Sequence, residues 1–297
     1  NFKMITEDGA VYLLKISRPN ADDNYLDFQK KLTQHIAAAT KNNHAPELIQ
    51  DSNKQVISTY TDASGQPRKV RLHTWVSGRV WSSINPQLDD LRHDLGQQCG
   101  ILTRALQEFS HPEASRAFAW DVAQSLWTKK HLALFSEEEK TLVCYFQERF
   151  KSEKPSYDLL RKAVVHNDVN DNNILVSKDL TAPKVTAIID YGDAIHTQVI
   201  NDVAIACAYA MMHHKDPLAA ALPLVKGYHE TFPLQEHELE HLYTAIGMRL
   251  VISVTKSAIN KMEEPNNTYL TISEKPAWEL LKKWKHLDAH FAHYSFR

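Results

Sequence analysis

The feature that most constrains the fold is a polar run that lies between short apolar segments past the middle of the chain. The run Val164-Val-His-Asn-Asp-Val-Asn-Asp-Asn-Asn-Ile-Leu-Val176 is followed by Ile188-Ile-Asp-Tyr-Gly-Asp193. Its apolar neighbours, Ala163–Val165, Asn173–Val176 and Val185–Ile189, are short and rich in β-branched residues, so they are predicted to be strands. The polar residues are therefore expected on turns between strands, backed by segments with helical periodicity.

Three residues of these two segments have the side chains that phosphoryl transfer requires. Asp168 has a carboxylate, Asn173 an amide oxygen five residues later, and Asp190 a carboxylate at the end of the next apolar segment. Transfer of a γ-phosphoryl group depends on positioning two oxygens in line and on hard cations that take oxygen ligands. We therefore predict that Asn173 and Asp190 bind Mg²⁺ and that Asp168 accepts a hydrogen bond from the acceptor hydroxyl and takes its proton late. His166 is expected to hold the catalytic loop without contacting substrate.

Two other interpretations of this run remain. Asp168, Asn170 and Asn172 fit the first half of a calcium loop, but Asn173 stands where that loop requires Gly and Asp179 where it requires Glu. A polar turn with no chemical role is the second alternative.

The two motifs resemble those of a known superfamily. His166–Val176 with Ile189–Asp193 resembles the aminoglycoside phosphotransferase and choline kinase superfamily, whose usual pattern is H-G-D-x-x-x-x-N followed by I-D-[FWY]-x-[DE]. Asn167 stands where Gly is common. Within the superfamily, the chain is most similar to the hydroxylysine kinases and to the kinase-like domain fused ahead of class III aminotransferase-like enzymes. The segments that support this are Asn1–Lys3, Tyr12–Ile16, Leu26–Gln29, Val70–Gly78 and Phe118–Asp121.

The resemblance implies an α+β, protein-kinase-like fold with two lobes. Residues 1–78 would form a small antiparallel β-sheet lobe that binds nucleotide, and residues 79–297 a mostly helical lobe with the catalytic loop and the acceptor pocket. The chain starts without Met and inside a predicted strand, so we expect a first strand and a phosphate-covering loop to be missing from this sequence. The implied activity is transfer of the γ-phosphate of GTP or ATP, with Mg²⁺, to the hydroxyl of a small amino compound, with 5-hydroxylysine favoured. Fusion or association with an aminotransferase-like enzyme is a further expectation.

In the N-terminal lobe, Lys15 is the residue predicted to bind the nucleotide phosphates. It lies near the end of the predicted strand Val11–Ile16, where a lysine is otherwise a solvated edge residue. The helix predicted over Asp27–Ile36 is expected to present a partner to Lys15. Gln29 stands where many kinases have Glu, with Asp27 nearby, so both remain open as that partner.

A hairpin is predicted to follow, from Gln55–Tyr60 through a turn at Ser64-Gly65 to Lys69–Val76. By resemblance, the backbone of Thr74 and Val76 would hydrogen-bond the purine. A plain edge strand is the alternative.

The rest of the chain is predicted to be mainly helical, with prolines, Pro155 among them, at the limits of the helices. The predicted helices lie over Leu88–Leu106 and near residues 115–133, 136–151, 199–213, 217–231, 235–262 and 274–293.

A cationic amine acceptor is expected to meet carboxylates and aromatic faces near Asp168. A start-of-helix role is the alternative for Asp202, and a core role is the alternative for the tryptophans. The candidate acceptor contacts are Asp171, Asp193, Asp202, Tyr191, Trp81 and Trp120.

The composition excludes several classes of partner. The net charge of -2, from 34 basic and 36 acidic residues, creates no field that would attract nucleic acid or an anionic membrane. Three cysteines without C-x-x-C spacing suggest neither a disulfide framework nor a zinc site, so a cytoplasmic location is expected. No apolar run approaches the ~20 residues that span a bilayer.

Three alternatives to the hydroxylysine kinase prediction remain. The same machinery would serve a kinase for choline, ethanolamine, homoserine or a sugar. A non-catalytic kinase-like module that binds nucleotide and regulates an attached enzyme is the second. A protein kinase is disfavoured because no A-P-E sequence follows Asp190.

Overall fold

The computed structural model describes residues 1–40, 46–267 and 271–297. Its strands are β1 (Phe2–Ile5), β2 (Val11–Ile16), β3 (Leu48–Ile49), β4 (Ser58–Thr61), β5 (Pro67–Thr74), β6 (Arg79–Val80), β7 (Lys162–Val165), β8 (Ile174–Val176), β9 (Val185–Ile188) and β10 (Ile195–Gln198). Its α-helices are α1 (Asp23–Ala39), α2 (Asp89–Leu106), α3 (Glu137–Tyr157), α4 (Ile200–Ala210), α5 (Pro217–Thr231), α6 (Glu236–Glu263), α7 (Glu274–His286) and α8 (Ala289–Phe296). Short 3-10 helices cover Trp81–Ser83, Pro112–Ala114, Val122–Leu134 and Tyr191–Asp193.

The first strands form one antiparallel sheet in the order β1-β2-β5-β3, with β4 paired to β5. In the β2–β5 register, Leu13 lies opposite His73, and Lys15 lies opposite Arg71. Because side chains alternate along a strand, these four residues share one face of the sheet. That face looks into the cavity described below.

The predicted hairpin is present as β4 and β5. Gly65 in its turn has φ +79°, a left-handed conformation that favours glycine. β4 starts at Ser58, three residues later than predicted. The Gln55 amide donates to Asp51 Oδ1 (2.9 Å) in a turn, so it cannot pair with a neighbouring strand.

The remainder of the chain is mostly helical around a core of buried apolar residues. α4 is buried along its whole length, and α6 has its middle buried. β7 pairs with β10, and β6, β8 and β9 form a second small sheet. A small antiparallel sheet followed by a larger helical part confirms the predicted two-lobe α+β fold.

α6 is long and apolar enough to cross a membrane by length and composition. However, 83% of the segment that meets this criterion is buried inside the protein. The apolar residues of α6 therefore form part of the core of the helical part.

Several predicted elements differ from the structure. The segment predicted as helical near 115–133 forms the 3-10 helices Pro112–Ala114 and Val122–Leu134, with no α-helix. α3 continues to Tyr157 through Pro155, which removes one backbone N–H donor near the C-terminal end of the helix. The helix predicted over 274–293 is divided into α7 and α8, because Asp288 caps a new start by accepting from the Phe291 amide (2.8 Å). Strand β10 was not predicted; pairing with β7 creates it.

α2 and α5 approach each other closely at two glycines. A Cβ atom on Gly96 would lie 1.9 Å from the Leu224 carbonyl oxygen, and one on Gly227 would lie 2.0 Å from that of His93. The contact matters to the site because Asp94 of α2 accepts from the Val185 amide (2.6 Å) at the start of β9, the strand that leads to Asp190.

Candidate active site

The catalytic loop starts where the buried strand β7 ends, and a buried carboxylate holds it. The amides of His166 and Asn167 donate to the two oxygens of Asp202, at 2.9 and 2.7 Å. Asp202 lies in the first turn of α4 with 1% of its surface exposed, and burial raises its pKa. Asp202 therefore cannot contact an acceptor, and its prediction as an acceptor contact is wrong. The alternative, a role at the start of a helix, describes where Asp202 lies.

Asn167 stands where the resembled motif has Gly, and its backbone has a conformation that favours Gly. Its φ is +63°, in the left-handed region. Asn tolerates this region better than most residues with a side chain. The loop can therefore keep its course without glycine.

His166 connects the loop to the end of β9. Its Nδ1 accepts from the Asp168 amide (3.2 Å), and its Nε2 lies 2.9 Å from the Ile189 carbonyl oxygen. With Nδ1 as acceptor and Nε2–H as donor, a neutral imidazole satisfies both contacts. The ring is fully buried and does not face a substrate.

Asp168 and Asn173 are in direct contact. Asn173 Nδ2 donates to Asp168 Oδ2 (2.8 Å) and to the Asp168 carbonyl oxygen (2.9 Å). Asn170 Nδ2 also donates to Asp168 Oδ2 (2.9 Å). These bonds turn the amide oxygen of Asn173 away from Asp168, and no donor within residues 1–40, 46–267 and 271–297 reaches it.

Asp190 follows β9 in a left-handed conformation, with φ +66°. Its Oδ1 lies 3.2 Å from Lys15 Nζ, which joins the sheet to the helical part. Burial opposes ionisation of Asp190, but the Lys15 ammonium outweighs this effect and holds the pKa below its usual value.

The expected partners of Lys15 on α1 have other contacts. Gln29 Oε1 accepts from Arg71 Nη1 (2.6 Å). Asp27 pairs with Lys30 and Lys31, its neighbours on α1, at 2.8 and 2.7 Å. The prediction that Gln29 or Asp27 partners Lys15 is therefore wrong.

A cavity of about 310 Å³ lies between the sheet and the loop that carries Asp190. Asp168 is not one of the lining residues, but it is hydrogen-bonded to Asn173, which is. The predicted site residues that line the cavity are Lys15, Thr74, Val76, Asn173, Asp190 and Tyr191.

One backbone hydrogen bond changes which of the purine contacts predicted for Thr74 and Val76 can form. The Thr74 amide donates to the Glu47 carbonyl oxygen (2.9 Å), so this N–H is not available to a base. The backbone of Val76, which also lines the cavity, remains as the predicted donor.

Two carboxylates near Asp168 have environments that disfavour charge. Burial, and then the charge of Asp168, raise the pKa of Asp193 to about 6. Burial also raises the pKa of Asp171. Both are suited to gain a cationic partner, which would restore their ionised form.

The aromatic candidates have different surroundings. Trp81 is completely buried in the core, so its prediction as an acceptor contact is wrong. The Tyr191 hydroxyl donates to the Ile188 carbonyl oxygen (2.7 Å), and Tyr191 is one of the residues that line the cavity. Trp120 is partly buried beside Arg249, with the guanidinium 4.7 Å from the ring centre.

Arg249 is a residue of this site that the sequence analysis missed. It is 1% exposed on α6, and its Nη2 donates to Asp168 Oδ1 (2.9 Å). Its Nη1 donates to the Trp120 carbonyl oxygen (3.2 Å). The one signal for it was an arginine within the apolar stretch Ala245–Val254, since a buried charge requires a partner.

The fold and the site together define a phosphotransferase with kinase-like architecture. The chain belongs to the phosphotransferase enzyme family, which it matches over residues 1–238. A hydroxylysine kinase of Mus musculus is 25% identical to it over 95% of this chain and 78% of that protein. The protein is therefore a small-molecule kinase with an alcohol group as acceptor.

Two solved structures show the same fold. A microcompartment-associated aminopropanol kinase has a TM-score of 0.71 at 16% identity, over 93% of this chain and 86% of that one. The amicoumacin kinase hAmiN, in complex with AMP-PNP, Ca²⁺ and Ami, has a TM-score of 0.69 at 15% identity, over 97% and 87%.

Proposed function

We propose that this protein transfers the γ-phosphoryl group of GTP or ATP to the hydroxyl of a small amino compound, with 5-hydroxylysine as the expected acceptor. The observation that carries the proposal is the contact of Asp168 with Asn173, beside a cavity that Asn173 shares with Asp190 and Lys15. The hydroxylysine kinase relative supports the choice of acceptor. A cytoplasmic location, a lobe boundary between residues 78 and 79, and association with an aminotransferase-like enzyme belong to the same proposal.

The residues present fit a bound Mg²⁺ ion. Asn173 Oδ1 and the Asp190 carboxylate would hold it, since both are hard oxygen ligands on one cavity and the amide oxygen has no donor in the described ranges. The ion would neutralise charge on the phosphate oxygens.

The protein's own side chains position the reacting oxygens. Lys15 binds the donor phosphates, and Asp168 accepts a hydrogen bond from the acceptor hydroxyl. The acceptor oxygen forms a bond to the γ-phosphorus while the bond to the β–γ bridging oxygen breaks, and the nucleoside diphosphate leaves. The hydroxyl proton passes to Asp168 late in this step. Arg249 and Asn173 fix the carboxylate from two sides.

Recognition of the acceptor is assigned to the acidic residues around the catalytic carboxylate. Asp193 and Asp171 would bind the ammonium groups of hydroxylysine, and the ring of Trp120 would flank its methylene chain. Binding of a cation offsets the cost of burying these carboxylates.

The experiment is a screen of the purified protein with GTP and ATP. The acceptors are 5-hydroxylysine, ethanolamine, choline, homoserine and a sugar. Lysine is the matched control, because it has the same charged groups without the hydroxyl. We expect phosphorylation of hydroxylysine and competitive inhibition by lysine. Transfer to another alcohol alone would contradict the acceptor assignment.

Asp168→Asn tests the catalytic carboxylate. We expect kcat to fall by ~10²- to 10⁴-fold, because the acceptor hydroxyl loses its proton acceptor. Nucleotide affinity, measured by calorimetry, should stay within twofold. If the wild-type protein binds nucleotide but transfers phosphate to no alcohol, the alternative of a regulatory nucleotide-binding module is correct.

A further inference from the structure

Arg71 has a charge that the protein leaves without an acidic partner. It lines the cavity from β5, directly opposite Lys15 in the β2–β5 register. Its Nη1 donates to Gln29 Oε1 (2.6 Å), while its Nε is buried and has no partner. Across the described part of the chain, no carboxylate lies within ion-pair distance of its guanidinium. Burial accordingly lowers the pKa of Arg71.

A partly buried guanidinium without an acidic partner is expected to bind an anion. Removing a cation from water is costly, and a neutral amide such as that of Gln29 offsets only part of the cost. Lys15 beside it has an acidic partner in Asp190, but a metal ion bound at Asp190 would compete for that carboxylate. Two cations would then face the cavity together, and phosphate oxygens are the anions that an arginine fork binds best.

We propose that Arg71 is a second phosphate-binding cation of the nucleotide cavity, held in place by Gln29 and acting beside Lys15. The proposal rests on the proposed function, in which the cavity binds a nucleoside triphosphate. It gives Gln29 a purpose: an amide orients the guanidinium without neutralising it. A glutamate at this position would neutralise it.

The variant Gln29→Glu separates this proposal from a simpler account. If Gln29 were only a weakened form of the acid that many kinases have here, restoring the acid would strengthen nucleotide binding or leave it unchanged. If Arg71 binds phosphate, the new carboxylate pairs with Arg71 and nucleotide binding weakens. The two accounts predict opposite changes from one substitution.

The measurement is the Kd of ADP and GDP, with guanosine and adenosine as probes that lack phosphate, for the full chain with Mg²⁺. We expect Arg71→Met and Gln29→Glu to raise the Kd of both diphosphates about tenfold or more, because each removes a charge-assisted contact. Nucleoside affinity should stay within twofold. Arg71→Lys should restore part of the loss.

Arg68→Met is the matched control. Arg68 is also on β5 but pairs with Asp62 (2.7 Å) and does not line the cavity. Its substitution should leave the Kd of ADP unchanged. Melting temperatures of all variants show whether each remains folded, and Gln29→Glu keeps the test available if Arg71→Met does not fold.

Three results overturn the proposal, and they differ from failure of the proposed function. The first is stronger or unchanged diphosphate binding in Gln29→Glu, the second is diphosphate affinity within twofold of wild type in Arg71→Met, and the third is an equal loss of nucleoside and diphosphate affinity. In each case the wild-type protein still binds ADP and the proposed function stands. If the wild-type protein binds no nucleotide, the proposed function fails and this inference fails with it.

Discussion

Arg249 places a positive charge against one oxygen of the Asp168 carboxylate. Its fork contacts Asp168 Oδ1 with one nitrogen and the Trp120 carbonyl oxygen with another. A lysine would supply the charge but not two contacts in fixed geometry. Under the proposed function, Arg249 is therefore a positioning residue, which acts on the acceptor only through Asp168.

For Arg249→Lys we expect kcat to fall by up to about 100-fold, with KM for nucleotide changed by less than threefold, because a misplaced carboxylate slows the chemical step. Steady-state kinetics with GTP and ATP measure both quantities. Lys256→Met is the control, since Lys256 is another cation of α6 that lies over an aromatic ring, Trp127, at 5.2 Å. A kcat equal to that of wild type in Arg249→Lys would show that the contact has no catalytic role.

The raised pKa of Asp193 is expected to make the stability of the folded protein depend on pH. Its pKa is about 6 in the folded protein against 3.8 as its ordinary value, so the folded protein binds this proton more tightly than the unfolded chain. Its contribution to stability is present below pH 3.8 and is lost as the pH rises through 6. In the metal-free protein, Asp193→Asn should raise the free energy of unfolding at pH 7.5 by the order of 1 kcal/mol, after allowance for solvent screening, and have no such effect at pH 4.

Urea unfolding at the two pH values measures this difference. Asp179→Asn is the control: the Thr181 hydroxyl and nearby turn amides lower the pKa of Asp179, so its loss should not stabilise the protein at pH 7.5. An Asp193→Asn protein with equal gains at both pH values would contradict the assignment.

At this scale, sequence spacing can indicate which loop residues lie together, but it cannot indicate which distant buried residues pack against the loop. Asp168 and Asn173 are five residues apart, so one turn brings them together. Asp202 and Arg249 lie 36 and 81 residues from their loop partners, and only the packing of α4 and α6 brings them there. The partner of Lys15 was wrong for the same reason, because it depends on how α1 lies against the sheet.

At the scale of elements, the close contact of α2 with α5 supports the strand that leads to Asp190. Gly227→Ala would place a methyl group against the His93 carbonyl oxygen, which is backbone and cannot move aside. We expect a loss of about 1–3 kcal/mol in the free energy of unfolding, measured with urea. Lys226→Ala, at the adjacent exposed position, is the control and should change stability by less than ~0.5 kcal/mol. Equal stability of the two variants would mean that the helices can separate without cost.

The elements that the sequence predicted best have strong periodicity and clear ends. α5 was predicted over its observed bounds because Asp216 and Pro217 start it. The 3-10 helix Val122–Leu134 was predicted only as helical, because the choice between helix types depends on packing that a periodic pattern does not record. β10 is only four residues long and is defined by its partner strand.

At the scale of the molecule, elements of the two parts differ in how much of their residue surface is buried. All of α4 is buried, whereas every residue of β1 is exposed. In native-state hydrogen exchange, α4 and the middle of α6 should exchange only by global unfolding, and β1 and β2 by local opening with a smaller free energy. Added Mg-ADP should slow exchange in β2 and β5 more than in α6. Equal protection of β1 and α6 would contradict this ranking.

Under the proposed function, the ion pair between Lys15 and Asp190 couples the binding of metal to the binding of nucleotide. A divalent cation that arrives alone has to displace an ammonium group from the carboxylate that it needs, and it leaves Lys15 with no counter-ion. Phosphates that arrive with the cation supply that counter-ion at once. Since linkage is reciprocal, each of the two ligands strengthens the binding of the other by the same factor. Under the proposed function, we therefore expect the resting enzyme to select the preassembled metal–nucleotide complex and to hold free Mg²⁺ only weakly.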